Sequence, residues 1–137
     1  MSLASGRQWT VKAAVTTWLV AQFLLAAPVQ AEVSMTVTAT AYNSLHGQGA
    51  GKDHALAAWG DRLAPGMRAI AVSRDLINKG LTHNRPVRIE GLPGVWLVKD
   101  KMNRRWKKKI DIYMGEDRQA ARNWGRRQVI IHFDPQP

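Results

Sequence analysis

Two aspartates at the ends of a strongly basic stretch are the residues of this sequence best suited to chemistry. Asp100 and Asp111 each lie beside an apolar, strand-like run, and six of the ten residues at 101–110 are lysine or arginine. We call residues 101–110 the basic segment. Carboxylates held on strands beside a cationic rim suit acid catalysis on a long anionic polymer. The charge pattern leaves a second interpretation open, in which both aspartates simply offset the neighbouring cations.

The other reactive side chains of the sequence indicate no competing chemistry. The chain has no cysteine, and the spacing of its four histidines fits no metal-ligand pattern. No Gly-rich phosphate loop and no Gly-x-Ser-x-Gly turn is present. Asp61 and Asp75 lie in turn-like contexts, where aspartate usually caps local structure. We therefore expect no metal and no organic cofactor.

Residues 1–31 have the pattern of a cleaved secretory signal peptide. Arg7 and Lys12 form a short positive region, residues 13–27 carry no charge, and small residues precede Glu32. The uncharged run is shorter than the roughly 20 apolar residues that a transmembrane helix needs. An uncleaved membrane anchor is the alternative. We expect one exported domain over residues 32–137, in the periplasm or cell envelope, with outer-membrane association left open.

The expected mature chain is strongly basic. Loss of the leader removes two cations and no acid, so 18 basic minus 10 acidic residues leave a net charge of +8. This charge favours an acidic partner, which outside the cytoplasm is an anionic cell-wall polymer or a lipid head group. The basic segment with Trp106 would also suit nucleic acid, but export argues against that partner. We expect a monomer that binds no nucleic acid, and peripheral contact with the envelope membrane remains an option.

Short strands are the main elements that must position these side chains. Alternation of apolar and hydroxyl residues predicts a strand at Val33–Tyr42, and further strands are predicted at 68–72, 86–90, 95–98, 110–114 and 129–133. Short helices are predicted at 73–79 and 117–124. In the strand at 110–114, the isoleucines face the core, and Asp111 and Tyr113 face outward. This content favours a small closed all-β barrel.

Several segments resemble the 3D (Asp-Asp-Asp) domain of bacterial cell-wall enzymes. They are Thr-Ala-Thr-Ala-Tyr at 38–42, Ile-Ala-Val at 70–72, Val-Lys-Asp at 98–100, Ile-Asp-Ile-Tyr at 110–113 and Trp-Gly-Arg-Arg-Gln-Val at 124–129. The resemblance implies a six-stranded double-psi β-barrel, similar to the barrels of the lytic transglycosylase A and rare lipoprotein A types. It also implies a lytic transglycosylase that cleaves the β-1,4 bond between N-acetylmuramic acid and N-acetylglucosamine in peptidoglycan glycan strands.

The resemblance implies roles for particular residues. Asp111 matches the family's general acid and Asp100 its second aspartate, whereas Ser73 stands where the first is expected. We expect Asp100 to raise the pKa of Asp111, because an unperturbed aspartate is ionised at neutral pH. The residues expected to bind substrate are Tyr42, Thr40, Arg104, Arg105, Trp106, Lys107 and Tyr113.

Departures from the family pattern keep two other hypotheses open. Besides Ser73, the family's Thr-Gly-Gly after the second aspartate is replaced by Lys-Met-Asn at 101–103. One alternative is a non-catalytic module that binds peptidoglycan or regulates a partner enzyme. The other is an envelope protein that binds nucleic acid or a lipid-A-type anion through the cluster of cations at 99–109.

Overall fold

Six strands and two short helices form the described part of the chain. The computed structural model describes residue 6, residues 31–44, residue 53 and residues 55–135, so the leader expected at 1–31 lies outside it apart from Gly6 and Ala31. The strands are β1 (Val33–Tyr42), β2 (Ala69–Val72), β3 (Pro86–Ile89), β4 (Trp96–Lys101), β5 (Lys109–Tyr113) and β6 (Arg127–Phe133), and the helices are α1 (Arg74–Ile77) and α2 (Arg118–Trp124). Within these residues, no helix has the length and apolar character needed to cross a membrane.

The strands close into a barrel in the order β1-β5-β2-β4-β3-β6. β1 pairs with β5 and β2 pairs with β4 in parallel, and the remaining neighbours are antiparallel. The predicted small closed six-stranded all-β barrel with short helices is confirmed. Because β4 and β5 both flank β2, closure brings Asp100 and Asp111 onto strands that share one neighbour.

Inward-facing residues of all six strands fill the barrel. Ile110 and Ile112 are fully buried, as the alternation predicted, and their burial turns Asp111 to the opposite face of β5. Leu76 of α1 joins the same core. Full burial of such a side chain contributes about 1.5–3 kcal/mol. In a chain without cysteine, this core is the main source of stability.

A second, smaller apolar cluster lies outside the barrel. Residues 55–63 form a tight hairpin, closed by an isolated bridge between Leu56 and Arg62, and we call them the cover hairpin. Ala57 and Leu63 of this hairpin pack against Tyr113. The hairpin thus covers part of the outer surface of β5.

β4 and the first helix differ most from their predicted boundaries. β4 extends through Lys101, so Asp100 lies within the strand, because the parallel pairing with β2 continues to that residue. The first helix is shorter than predicted and spans only Arg74–Ile77, and Ser73 makes no side-chain capping bond there. The Ser73 hydroxyl instead accepts a hydrogen bond from the backbone N–H of Lys109 at 3.0 Å.

Candidate active site

A row of four side chains crosses the outer face of four adjacent strands. Register places Thr40 opposite Asp111 and Asp111 opposite Ala71, and Ala71 is in turn opposite Asp100. Since neighbouring strands lie about 4.8 Å apart, the backbones of the two aspartates are separated by roughly 10 Å. Only the methyl group of Ala71 stands between them in the row, which leaves room for a ligand.

A register shift between β2 and β4 brings Asp100 into this row. Ile70 pairs with Val98, but the next residue, Ala71, pairs with Asp100, so Lys99 is skipped. Bulges of this kind re-aim side chains beside active sites. Regular pairing would have set a lysine opposite Ala71.

Asp111, Ala71 and Asp100 of this row line an open cleft of about 300 Å³, whereas Thr40, a predicted substrate-binding residue, is not among its lining residues. Its lining includes both predicted catalytic aspartates and two of the predicted substrate-binding residues, Tyr42 and Trp106. The remaining lining residues are Asn43, Ala71, Lys101, Met102 and Asn103. The end of β1 and the basic segment therefore meet around the two carboxyl groups.

Asp111 has the surroundings of a proton donor. Its Oδ1 accepts a hydrogen bond from the Thr40 hydroxyl at 2.9 Å, and no other hydrogen bond reaches its carboxyl group from the described residues. Burial raises the pKa of Asp111, and the charge of Asp100 adds to this; the Thr40 hydrogen bond and Lys109 oppose it without reversing it. A carboxyl group that keeps its proton to higher pH can act as a general acid.

Asp100 is held by backbone donors instead. Its Oδ1 accepts hydrogen bonds from the backbone N–H groups of Ala58 at 2.8 Å and Lys101 at 2.9 Å. Ala58 lies near the tip of the cover hairpin, so a loop distant in sequence fixes the position of this carboxylate. A side-chain hydroxyl thus donates to Asp111, whereas backbone N–H groups donate to Asp100.

Among the described residues, no cation of the basic segment forms an ion pair with Asp100 or Asp111. Among the described residues, ion pairs join Arg62 to Asp53 and Lys99 to Asp61, and others involve Arg88, His83 and His132, but none involves a cation of the basic segment. Arg104, Arg105 and Lys107 are exposed. The charge-offset interpretation is therefore limited to interactions at longer range, such as that of Lys109 with Asp111. The exposed side chains of Arg104 and Arg105 are available to an external anion.

Trp106 lines the cleft, and Lys109 lies against its ring beside Asp111. The Lys109 Nζ lies 3.6 Å from the centre of the Trp106 ring, and the Arg105 Cζ lies 4.9 Å from it. Lys109 is only 8% exposed. Sequence reasoning found Trp106 but missed Lys109, because the last lysine of a run of three resembles solvated surface. Its position two residues before Asp111 in an alternating strand was the available signal.

The two predicted substrate-binding tyrosines differ in access. The Tyr42 hydroxyl is buried without a hydrogen-bond partner among the described residues, and burial together with the two aspartates raises its pKa far above the usual value. Tyr113 is 2% exposed, and its hydroxyl shares a 2.9 Å hydrogen bond with the Ser44 hydroxyl. Direct substrate contact by Tyr113 is therefore not supported, because the cover hairpin lies over it.

The first aspartate of the pattern that the sequence resembles has no equivalent in the cleft. Ser73 is fully buried and bonded to the Lys109 backbone. Burial raises the pKa of Asp75, but hydrogen bonds from Ser73 and the Lys108 backbone N–H outweigh this and lower it. Neither residue is among those lining the cleft, and both hold the end of the basic segment in place.

Asp61 anchors the cover hairpin. It accepts hydrogen bonds from His83 and, at 3.2 Å, from the Lys99 ammonium group, and these contacts, led by that of His83, lower its pKa. Trp59 of the hairpin stacks on His83 with 5.0 Å between ring centres. Asp61 thereby helps to hold Ala58 against Asp100, a role that its turn-like sequence context did not reveal.

The described residues offer no arrangement for a metal ion. No group of three or more His, Asp or Glu side chains is suitably placed among them. His132 is engaged with Ser34 and Glu90 on the other side of β1. The groups that line the cleft are carboxyl groups, aromatic rings, amides and a cation.

Comparison with known proteins identifies no relative. No family model matches this chain, and no curated protein matches it.

Proposed function

We propose that this protein is a cell-envelope enzyme that cleaves peptidoglycan glycan strands as a lytic transglycosylase. The bond is the β-1,4 link between N-acetylmuramic acid and N-acetylglucosamine. The observation that carries the proposal is the position of Asp111, a half-buried carboxyl group, in one open cleft with Asp100. Burial also raises the pKa of Asp111. Cleavage of a glycosidic bond needs such a proton donor. The unpaired cations at the rim and the resemblance to cell-wall enzymes support an anionic wall polymer as substrate.

Asp111 serves first as acid and then as base in this mechanism. The protonated carboxyl group donates its proton to the glycosidic oxygen, while the bond from that oxygen to the muramic acid C1 breaks. The C6 hydroxyl of the same sugar then forms a bond to C1, and the Asp111 carboxylate accepts the hydroxyl proton. The products are a 1,6-anhydro sugar and a free 4-hydroxyl group. No water is consumed, and Asp111 ends protonated as it began.

Asp100 supports both steps through its charge. As a nearby anion, it raises the pKa of Asp111. The same negative charge stabilises the positive charge that develops at the sugar C1 in the transition state. The backbone donors from Ala58 and Lys101 hold it in place for this role without bringing a second acid into the cleft.

Incubation of the exported protein with purified sacculi tests the proposal. We expect soluble muropeptides with 1,6-anhydro ends, identified by mass spectrometry. Products heavier by one water would show that water, not the C6 hydroxyl, is the nucleophile. The absence of any soluble fragment would contradict enzymatic cleavage.

A non-catalytic peptidoglycan-binding module is the second candidate, and the environment of Ser73 favours it. Where the family pattern has an aspartate, this chain has a fully buried serine, and Asp75 is committed to the Lys108 backbone. In that case the cleft binds glycan without turnover, alone or as regulator of a partner enzyme. Sacculi would then retain the protein in a pull-down assay but release no soluble fragments.

A further inference from the structure

A serine, a histidine and a glutamate form a chain of hydrogen bonds on the outer face of the barrel. Ser34 on β1 lies directly opposite His132 on β6, and the Ser34 hydroxyl oxygen lies 2.7 Å from the His132 Nδ1. The other ring nitrogen, Nε2, lies 2.8 Å from the Glu90 carboxylate. Ser34 and His132 are 98 positions apart in the sequence, so only the folded chain brings the two side chains together.

The contact with Glu90 determines which nitrogen of His132 can act as a base. A carboxylate only accepts hydrogen bonds, so the Nε2 of His132 carries a proton and donates to it. In the neutral imidazole, Nδ1 is then the acceptor, and the Ser34 hydroxyl donates to it. A hydroxyl group that donates to a base, which a third group holds in place, is the arrangement of an activated nucleophile.

A cation lies on the same side of His132 as Ser34. Arg88 is opposite His132 on β3, and it forms an ion pair with Glu32. The second carboxylate oxygen of Glu32 lies 3.9 Å from the His132 Nδ1, the nitrogen that contacts Ser34. The Arg88 guanidinium is thus placed to offset negative charge that develops on a substrate oxygen near Ser34.

An open cavity of about 340 Å³ adjoins this cluster. Its lining includes His132 and Arg88 together with apolar side chains such as Val95 and Phe133. Ser34 is not part of the lining but is exposed beside His132. None of the residues that line this cavity lines the cleft between the two aspartates. Apolar walls beside a nucleophile suit the acyl part of a small ester.

We propose that Ser34, His132 and Glu90 form a second catalytic site, which hydrolyses esters of short, uncharged carboxylic acids. The Ser34 oxygen forms a bond to the ester carbonyl carbon while its proton passes to His132. That proton leaves with the alcohol when the ester bond breaks. Water then attacks the acyl group on Ser34 and gives a proton to His132, and the proton returns to Ser34 as the acid leaves.

This activity goes beyond the proposed function and does not depend on it. One ester and one water give one acid and one alcohol, and Ser34 and His132 end as they began. The Ser34 site and the Asp111 cleft have no residue in common. Each activity can therefore be lost without the other.

A fluorophosphonate probe tests the nucleophile in the whole protein. Attack by Ser34 forms a phosphorus–oxygen bond and displaces fluoride, and peptide mass mapping locates the adduct. We expect the adduct on Ser34, with labelling of His132→Gln about 10²-fold slower or more, because loss of a general base typically has that effect. Glu90→Gln should be labelled at an intermediate rate. The absence of an adduct on Ser34, or equal rates in wild type and His132→Gln, would overturn the proposal.

Hydrolysis of p-nitrophenyl acetate tests turnover. We expect Ser34→Ala to lose the rate that the wild type shows above buffer. Thr36→Ala removes an exposed hydroxyl group from the same face of β1, and as the matched control it should keep the wild-type rate. Equal hydrolysis by wild type and Ser34→Ala would overturn the assignment, and so would equal losses in Ser34→Ala and Thr36→Ala.

The Asp111→Asn variant separates this inference from the proposed function. We expect it to hydrolyse p-nitrophenyl acetate at the wild-type rate, and we expect Ser34→Ala to leave any release of anhydromuropeptides from sacculi unchanged. Ester hydrolysis that disappears in Asp111→Asn would assign that activity to the cleft and reject the Ser34 site. A protein that hydrolyses the ester through Ser34 but releases no muropeptides would keep the Ser34 site and reject the glycan-cleaving enzyme.

Discussion

Asp111 and Asp100 carry the same functional group in different surroundings, and the difference separates their roles. Asp111 is half-buried, accepts one hydrogen bond from the Thr40 side chain and has a raised pKa. Asp100 accepts two backbone hydrogen bonds at one oxygen. A proton donor requires the first environment, whereas a fixed negative charge requires the second.

The raised pKa of Asp111 predicts how stability depends on pH. The folded state binds the Asp111 proton more tightly than the unfolded state does, so this group lowers stability as the pH rises from about 3.9 through its folded pKa. Asp111→Asn removes that effect. We therefore expect the variant to unfold at higher urea concentration than the wild type at pH 7, and at a similar concentration near pH 3.

The same unfolding experiment can contradict the assignment. A variant that is less stable than the wild type at pH 7 would show that the folded protein favours the charged form of Asp111. The Asp111 carboxyl group would then be unsuited to donate a proton at neutral pH.

Residue-level prediction from sequence succeeded where a local pattern carried the information. The alternation around Asp111 placed its side chain outside the core, and the strand context of Asp100 placed it nearby. The hydrogen-bond partners that distinguish Asp111 from Asp100 could not be predicted from neighbouring residues in the sequence. Thr40 lies 71 positions from Asp111, and Ala58 lies 42 positions from Asp100. Tyr113 was assigned to the correct face, but its burial depends on a hairpin distant in sequence.

At the scale of elements, the β2–β4 bulge and the cover hairpin determine the position of Asp100. The bulge places Asp100 rather than Lys99 opposite Ala71, and the hairpin supplies the Ala58 donor. Alternation predicted the strands well because they repeat a local pattern. It could not predict the bulge or the docking of the hairpin, because both depend on contacts between separate elements.

Weaker anchoring of the cover hairpin should weaken the hydrogen bond from the Ala58 N–H to Asp100. Asp61→Asn removes the charge that pairs with His83 and Lys99, so we expect faster hydrogen exchange at the Ala58 amide and lower activity on sacculi. Because the Asp61 pKa is lowered, its contribution to stability is present above the ordinary aspartate pKa of about 3.9 and is lost as the pH falls below it. The wild type should therefore show the same loosening in acid.

Glu116→Gln, which changes an exposed acid elsewhere, is the control for Asp61→Asn. In Glu116→Gln, the hydrogen-exchange rate of the Ala58 amide should equal that of the wild type. If Ala58 exchanges at the same rate in Asp61→Asn as well, Asp61 does not hold the hairpin against Asp100.

Over the molecule as a whole, the order of strands in the closed barrel determines which charged residues border the cleft. The sequence predicted the small closed barrel from the number and length of its strands, but their order depends on pairing between distant segments. That order places Asp111 and Asp100 beside the basic segment, whose cations form no ion pair among the described residues. A positively charged rim then borders the cleft, as an anionic polymer requires.

The position of the charge, rather than its total, should govern binding to sacculi. Arg104→Glu with Lys107→Glu should weaken retention on sacculi, and rising salt should weaken retention of the wild type. Lys79→Glu with Arg126→Glu changes the net charge equally at exposed sites outside the basic segment and should have a smaller effect in the same pull-down assay. Equal losses in the two double variants would show that only net charge matters.

The most direct test of the account compares wild type and Asp111→Asn on purified sacculi, with 1,6-anhydromuropeptides quantified by mass spectrometry. The asparagine keeps the size of the side chain and can still accept the Thr40 hydrogen bond, but it cannot supply a proton. We predict a rate about 10²–10⁴-fold below that of the wild type, the usual contribution of general acid catalysis, with the fold intact by circular dichroism. Release of anhydromuropeptides by Asp111→Asn at the wild-type rate would contradict the assignment of Asp111 as the catalytic acid.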